Sequence, residues 1–364
     1  MTTRLRARSL SLALVMLVTL GVAVPLAALA DKREKEADEF LFYPLPPDLP
    51  RLQFLATFSS SLDVSTAKGG FRDFVFGGQD KEGHLVNKPY GVAIHEGAIY
   101  VIDTRGNGWG VFDLAGRTSR VITPGGGGSL KKPINITIDA DGTRYVTDTG
   151  REQVLVYDNR DRFQRAYGTP GQFRPVDALV VGTRLYVTDI ANHQVHVLDK
   201  STGEVLSSFG GAGSEPGQLF HPTNLALGPD ETLYVVDTSN FRVQQFSLDG
   251  EFIRAIGSIG TAPGTFSRPK GIALDRDGHI YVVDSAFQNV QILHQDGGAL
   301  MFFGEPGGAR DSINLPTVVK IDYDNVAYFE KYTAPDFDVE YLVIIASQFG
   351  ANKVNVFGFG SLRD

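Results

Sequence analysis

Six prolines each open a short apolar segment, and the residues beside them hold most of what this sequence offers for chemistry. Immediately before the prolines stand Lys88, Lys132, Arg174, His221, Arg268 and Leu315. Two residues after them stand Gly91, Asn135, Asp177, Asn224, Gly271 and Val318. Five of the six preceding residues can carry positive charge. Gathered on one rim of an otherwise acidic protein, they would receive an anionic ligand or the carboxylates of a partner. Scattered, they are ordinary solvated side chains on loops.

Other candidate groups resolve into scaffolding. Asp103, Asp148, Asp189, Asp237 and Asp284 each end a YVxD-type phrase and precede a turn such as TSNFR. A carboxylate there can accept backbone N–H bonds, and five equivalent copies speak against a single reactive centre. Asp139-x-Asp141-Gly142 and Asp275-x-Asp277-Gly278 start like calcium loops, but position 12 is Gly150 or Ala286 instead of glutamate, so both read as hairpin turns. PGGGGSLKKP (124–133) lacks the phosphate-loop pattern. Neither G-x-S-x-G nor H-E-x-x-H occurs. His193 and His196 are three apart on a strand pattern and face opposite ways, as packing or solvent histidines. Asn135-Ile136-Thr137 is a glycosylation triplet on an expected inner strand, read as a chance match.

The elements that position these residues follow from repetition. The five aspartates are separated by 45, 41, 48 and 47 residues, a period that belongs to a propeller or solenoid. Each unit holds four strand-like pieces; in the fourth they are TNLALGPD, LYVVD, RVQQFS and EFIRAIG. The unbroken apolar LYVVD-type strands predict burial on both faces. The third strands (VLVY, VHVL, VQIL) alternate more, which predicts a place nearer the rim. A sixth unit runs from Pro316 through YLVIIA (341–346) to KVNVFG (353–358) and stops without a fourth strand. QFLATFS (53–59) resembles the missing piece. The expected fold is therefore all-β: a six-bladed propeller of four-stranded antiparallel blades over 51–360, its N-terminal strand completing the last blade.

GSEPGQLFHPTNLA (213–226) followed by LYVVD-TSN-FRVQQF resembles an NHL repeat, and GTAPGTFSRPKGIALDRDGHIYVVD (260–284) is similar to the same pattern. The likeness is strong over 85–310 and weak over 311–360. YVTD at 145–148 and 186–189 also resembles the YVTN propellers. The NHL resemblance implies six blades and two kinds of function. One is a non-enzymatic scaffold presenting its loops to a protein or peptide partner. The other is a metal-dependent enzyme related to peptide-amidating lyases and six-bladed lactonases, with calcium or zinc in the central channel. For that second function the resemblance points to Asp177 and His221, with Asn135 and Asn224, as a weak calcium-type set without the histidines zinc prefers. For the scaffold, no cofactor is expected.

Arg4, Arg6 and Arg8, the apolar run Leu10–Leu29 and Ala28-Leu29-Ala30 form an export-signal pattern (1–30). The segment is either cleaved after Ala30 or kept as a membrane anchor, and no other membrane contact is expected except through a partner. Cleavage removes three arginines and takes the formal charge from −8 to −11. With no clustered basic surface, this argues against nucleic acid as a partner. The chain has no cysteine, which excludes disulfides and thiol chemistry. A charged and proline-rich linker (31–50) should form an extended arm. Inserts are expected at 60–88, where Phe71, Phe74 and Phe76 offer contacts for a partner, and at 323–339. The expected location is periplasmic or extracellular.

Overall fold

A computed structural model describes residues 40–64 and 85–363. The export-signal pattern, the spacer up to residue 39 and Phe71, Phe74 and Phe76 lie outside them. The described strands form six sheets. In blade 1 the strands run, from the inside outward, Pro89–His95, Ala98–Asp103, Gly108–Asp113 and Thr118–Ile122, each antiparallel to the next. Blades 2 to 5 repeat the pattern behind inner strands Pro133–Ile138, Pro175–Val181, Pro222–Leu227 and Pro269–Leu274. Each inner strand contacts the next, and that of blade 6, Pro316–Asp322, contacts that of blade 1, so the array closes.

The closure is the one expected. Leu52–Phe58 pairs with Val354–Leu362, the third strand of blade 6, with Leu52 opposite Phe359 and Phe58 opposite Val354. Leu52, Phe54, Leu55 and Phe58 are all buried by this pairing. The residues ahead of it differ from expectation. Phe42–Tyr43 folds back on the closing strand as a fifth strand, and is not an extended arm. The reason is aromatic burial: the Phe42 ring packs on Phe337 at 5.3 Å, and Tyr43 on Phe357 at 6.1 Å. In the insert expected at 323–339, Val326–Phe329 is a short helix, while Phe337 already begins the second strand of blade 6.

The second strands of blades 1, 2, 4 and 5 are buried along their whole length, as LYVVD-type runs require, while those of blades 3 and 6 have part-exposed or exposed residues near their starts. The third strands lie outside the second and nearer the rim, as expected. Their alternation does not mean exposure, however: Arg242–Phe246 and Asn289–Leu293 are buried after their first residue. Their polar letters mark internal bonding. Gln244 donates from Nε2 to Gln218 O (2.6 Å) and to Asp237 Oδ2 (3.0 Å). His196 bonds Ser208 through Nδ1 and Asp189 through Nε2. The outer strands are the wet ones, as in Val205–Gly210.

Two sets of side chains hold the disc. The repeated aspartates accept backbone N–H groups from the turn that follows and from the entry to their own inner strand. Asp148 takes those of Lys131, Lys132, Gly150 and Arg151; Asp284 takes those of Ser267, Arg268, Ala286 and Phe287. Beside them, hydroxyls clasp five of the six blade junctions, all but that between blades 1 and 2, where Thr104 bonds Lys88 O within its own blade. Thr147 donates to Val176 O (2.8 Å), Thr188 to Thr223 O (2.7 Å), Thr238 to Pro269 O (2.9 Å), Ser285 to Pro316 O (2.5 Å) and Thr317 to Tyr90 O (2.8 Å). In the degenerate sixth unit Ser347 stands opposite Pro316, where the other blades have aspartate.

Candidate functional site

The inner strands converge on the axis, so their first residues face a common channel. The ring two positions after the prolines is uneven. On one side it is glycine: a Cβ on Gly91 would fall 2.6 Å from Asn135 Cα, and one on Gly271 would fall 2.6 Å from Val318 Cα. Backbones touch there because no side chain intervenes. On the other side the ring is polar, and Asn135, Asp177 and Asn224 come together from adjacent blades. Asp177 is 2 % exposed. Its Oδ1 accepts from Asn135 Nδ2 (2.6 Å) and Ala178 N (2.8 Å), and its Oδ2 accepts from Leu225 N (3.0 Å). The Asn224 side chain bonds it too. Burial holds the Asp177 carboxyl above the ordinary carboxylate range, opposed by the nearby Lys320 ammonium and these donors.

This arrangement does not fit a divalent cation. A metal needs several oxygen lone pairs turned toward it. The Asp177 carboxylate is already surrounded by N–H donors, and Asn135 Oδ1 accepts from Ile136 N at 2.9 Å. Only Asn224 Oδ1 is buried with no bond. His221 stands apart from this cluster: its Nδ1 bonds Ser239, its backbone N donates to His193 Nδ1, and its ring packs edge-on to His193. Among the described residues, the one group of three potential ligands is Asp275, Asp277 and His279. Its Asp275 carboxylate is taken up by His279 Nδ1 and the Tyr341 hydroxyl within a hairpin turn. Asp177→Asn would place an amide N–H₂ against donors already aimed at the carboxylate. It should cost about 2–3 kcal/mol, read as a lower urea midpoint; an unchanged midpoint would show that the donors have other partners.

The basic rim is also uneven. Arg174 is paired with Glu152 at 3.3 Å, and His221 is held in its aromatic cluster. Lys132 and Arg268 are exposed, and Lys88 lies over the Phe349 ring at 5.3 Å. Leu315, the sixth member, donates its backbone N–H to Gln288 Oε1. The most buried cation of this mouth was not among the sequence candidates. Lys270, the residue just after its proline, is 9 % exposed, with Nζ over the Tyr90 ring at 5.1 Å. Burial, then Arg268 and Lys88, lower its pKa from 10.5 to about 8. Burial pushes the Tyr90 hydroxyl up to about 12. No carboxylate among the described residues pairs with Lys88, Arg268 or Lys270. The signal was present in the repeat: at this position other units have Ile134, Val176, Thr223 and Thr317, so a lysine and a tyrosine stand out.

Among the described residues, one side of the channel therefore carries Lys270 with Arg268 and Lys88 and no paired carboxylate, across from a polar cluster closed on itself. Residues 225–355 match a family described as a 6-bladed beta-propeller. The fold is similar to a gluconolactonase from Xanthomonas campestris, at 16 % identity over 88 % of this chain and 97 % of that one, with a TM-score of 0.56. It is similar to virginiamycin B lyase from Staphylococcus aureus, at 14 % identity over 75 % of this chain and 95 % of that one, with a TM-score of 0.52. A protein of unknown function from Bacteroides thetaiotaomicron matches at 18 % identity over 84 % of this chain and 75 % of that one, with a TM-score of 0.57. At such identities the likeness establishes the architecture alone: this chain is a six-bladed β-propeller.

Proposed function

We propose that this protein is an extracytoplasmic, non-enzymatic binding propeller of NHL type, whose proline-side channel mouth receives a carboxylate of a protein or peptide partner. The observation that carries the reading is Lys270: a buried ammonium beside two further cations, with no carboxylate among the described residues paired to it. Burying a charge costs free energy unless it is paired, so an arriving carboxylate would relieve that cost. The export-signal pattern supports the location, and the acidic whole confines the attraction to this mouth. A metal-dependent lyase or lactonase activity draws support only from the shared architecture, since the donors around Asp177 are already committed.

An acidic peptide with a free C-terminus should bind more tightly than its amidated, glutamine-substituted analogue, and less tightly as salt is raised. Lys270→Gln should weaken it at least tenfold without lowering the melting temperature. The pH dependence has a definite sign. Below about pH 8 Lys270 is cationic in the free protein, and above that it loses its proton; affinity for the acidic peptide should fall as pH rises through 8. The folded chain holds this proton less tightly than an unfolded chain with its ordinary value of 10.5. This residue's contribution to stability therefore rises with pH between the two values. Equal binding of the neutral analogue, or an unchanged affinity in Lys270→Gln, would sink the proposal.

A further inference from the structure

Blades 4 and 5 enter their inner strands through connectors built alike, bond for bond. Leu219 N donates to Gly211 O at 2.9 Å and Phe266 N to Ser258 O at 2.8 Å. Gln218 N donates to Glu215 O, and Thr265 N to Ala262 O, both at 3.0 Å. Gln244 accepts from Gly217 N and donates to Gln218 O; Gln291 accepts from Gly264 N and donates to Thr265 O. The two frames differ in what fills them. In blade 4, Arg242 lies opposite Asp237. Its guanidinium donates from Nη2 to Glu215 O (3.2 Å) and Gln218 O (3.0 Å), and from Nε to Asp237 Oδ2 (2.9 Å). Blade 2 holds its connector similarly, with Arg151 Nη1 donating to Gly127 O and Ser129 O, each at 2.8 Å.

Blade 5 has no such arginine. The residue in the register of Arg242 is Asn289, opposite Asp284, and the shorter side chain leaves an open pocket of about 380 Å³. Thr261, Ala262 and Pro263 form one wall, and Phe287, Asn289 and Phe302 the other. Asn289 Oδ1 is buried there without a hydrogen-bond partner, and Phe302 is 58 % exposed at the pocket edge. The Ala262 carbonyl is filled by Thr265 N and Oγ1, but the Thr265 carbonyl with its one donor, the unused amide oxygen and two phenyl rings suit a flat cation with N–H donors, which stacks on aromatic faces as it bonds in plane.

We propose that this pocket binds the guanidinium of an arginine side chain presented by a protein or peptide partner, in the place that Arg242 occupies within blade 4. The guanidinium donates to the Thr265 carbonyl oxygen, which accepts only from Gln291 within the chain, and to Asn289 Oδ1, with Phe302 against its face. None of these residues belongs to the channel mouth, so the proposal does not depend on it.

The test is saturation-transfer NMR on the full chain with N-acetyl-arginine methylamide, against the lysine and citrulline analogues. Strong transfer to the arginine δ-methylene protons is expected, with at least fivefold less for citrulline, which keeps the shape and loses the charge, and for lysine, which lacks the planar fork. Asn289→Arg should fill the pocket from within, as Arg242 does, and reduce transfer at least fivefold while the melting temperature holds or rises. Should that variant not fold, Phe302→Ser on the exposed outer strand provides the same readout. Transfer that is equal for citrulline, equal for lysine, or undiminished in the folded variants would overturn the proposal.

Discussion

Removal of residues 1–59 is expected to abolish cooperative folding. The deletion takes away the closing strand and with it the buried Leu52, Phe54, Leu55 and Phe58. It also leaves the backbone of Val354–Leu362 without a partner along one edge. At about 1.5–3 kcal/mol for each large apolar side chain, the loss is on the scale of the whole stability of a typical domain, about 5–15 kcal/mol. The exposed edge would also invite association between chains. The expected result is a broad, non-cooperative thermal transition and soluble aggregates on size-exclusion chromatography. A peptide covering residues 51–59 should restore part of the transition when added in excess. A monomeric product with a sharp melt near that of the full chain would mean that the ring is held without its closing strand.

Gly271→Ala is the smallest change expected to have a large effect. The new Cβ would lie 2.6 Å from Val318 Cα and 2.9 Å from both Thr317 O and Val319 N. All three are backbone atoms of the neighbouring inner strand, so no side-chain rotation relieves the contact. In a closed ring, a strand pushed outward at one junction disturbs the hydroxyl clasps of Ser285 and Thr317 on either side. A loss of about 3 kcal/mol is expected, measured as a shift in urea midpoint at constant slope. Gly125→Ala is the control: nothing lies within 4 Å of its Cβ position, and the cost should stay within about 0.5 kcal/mol. Equal midpoints for the two variants would show that the inner strands have slack.

The disc could be read from the sequence because its architecture is written in identical letters. The aspartates at 103, 148, 189, 237 and 284 recur because each ties the same turn to the same strand entry, and the missing strand after KVNVFG could be sought at the other end of the chain. The candidate site was less legible because it lies in the departures from the repeat. Lys270 and Tyr90 occupy positions where other units have aliphatic or hydroxyl residues. Gln244 and His196 look like solvent-facing letters in an alternating strand, yet both are bonded inside a blade. Asp177 was singled out as a possible ligand from its type and place. Only coordinates reveal that Asn135, Ala178 and Leu225 all point hydrogens at it. The Phe42–Tyr43 strand was hidden by the prolines around it, which read as a stiff arm.

The seam in blade 6 also bears on biosynthesis. Thr57 bonds Val354 across 297 residues of chain, whereas blades 1 to 5 are each built from consecutive strands. Local meanders close cheaply, but a contact of such high order carries nearly the whole loop-closure entropy of the polypeptide. Blades 1 to 5 can therefore form as they leave the ribosome, while the first strand waits for the last. A chain cut short at either end never reaches the locked state, and the ring is thereby its own check on complete synthesis.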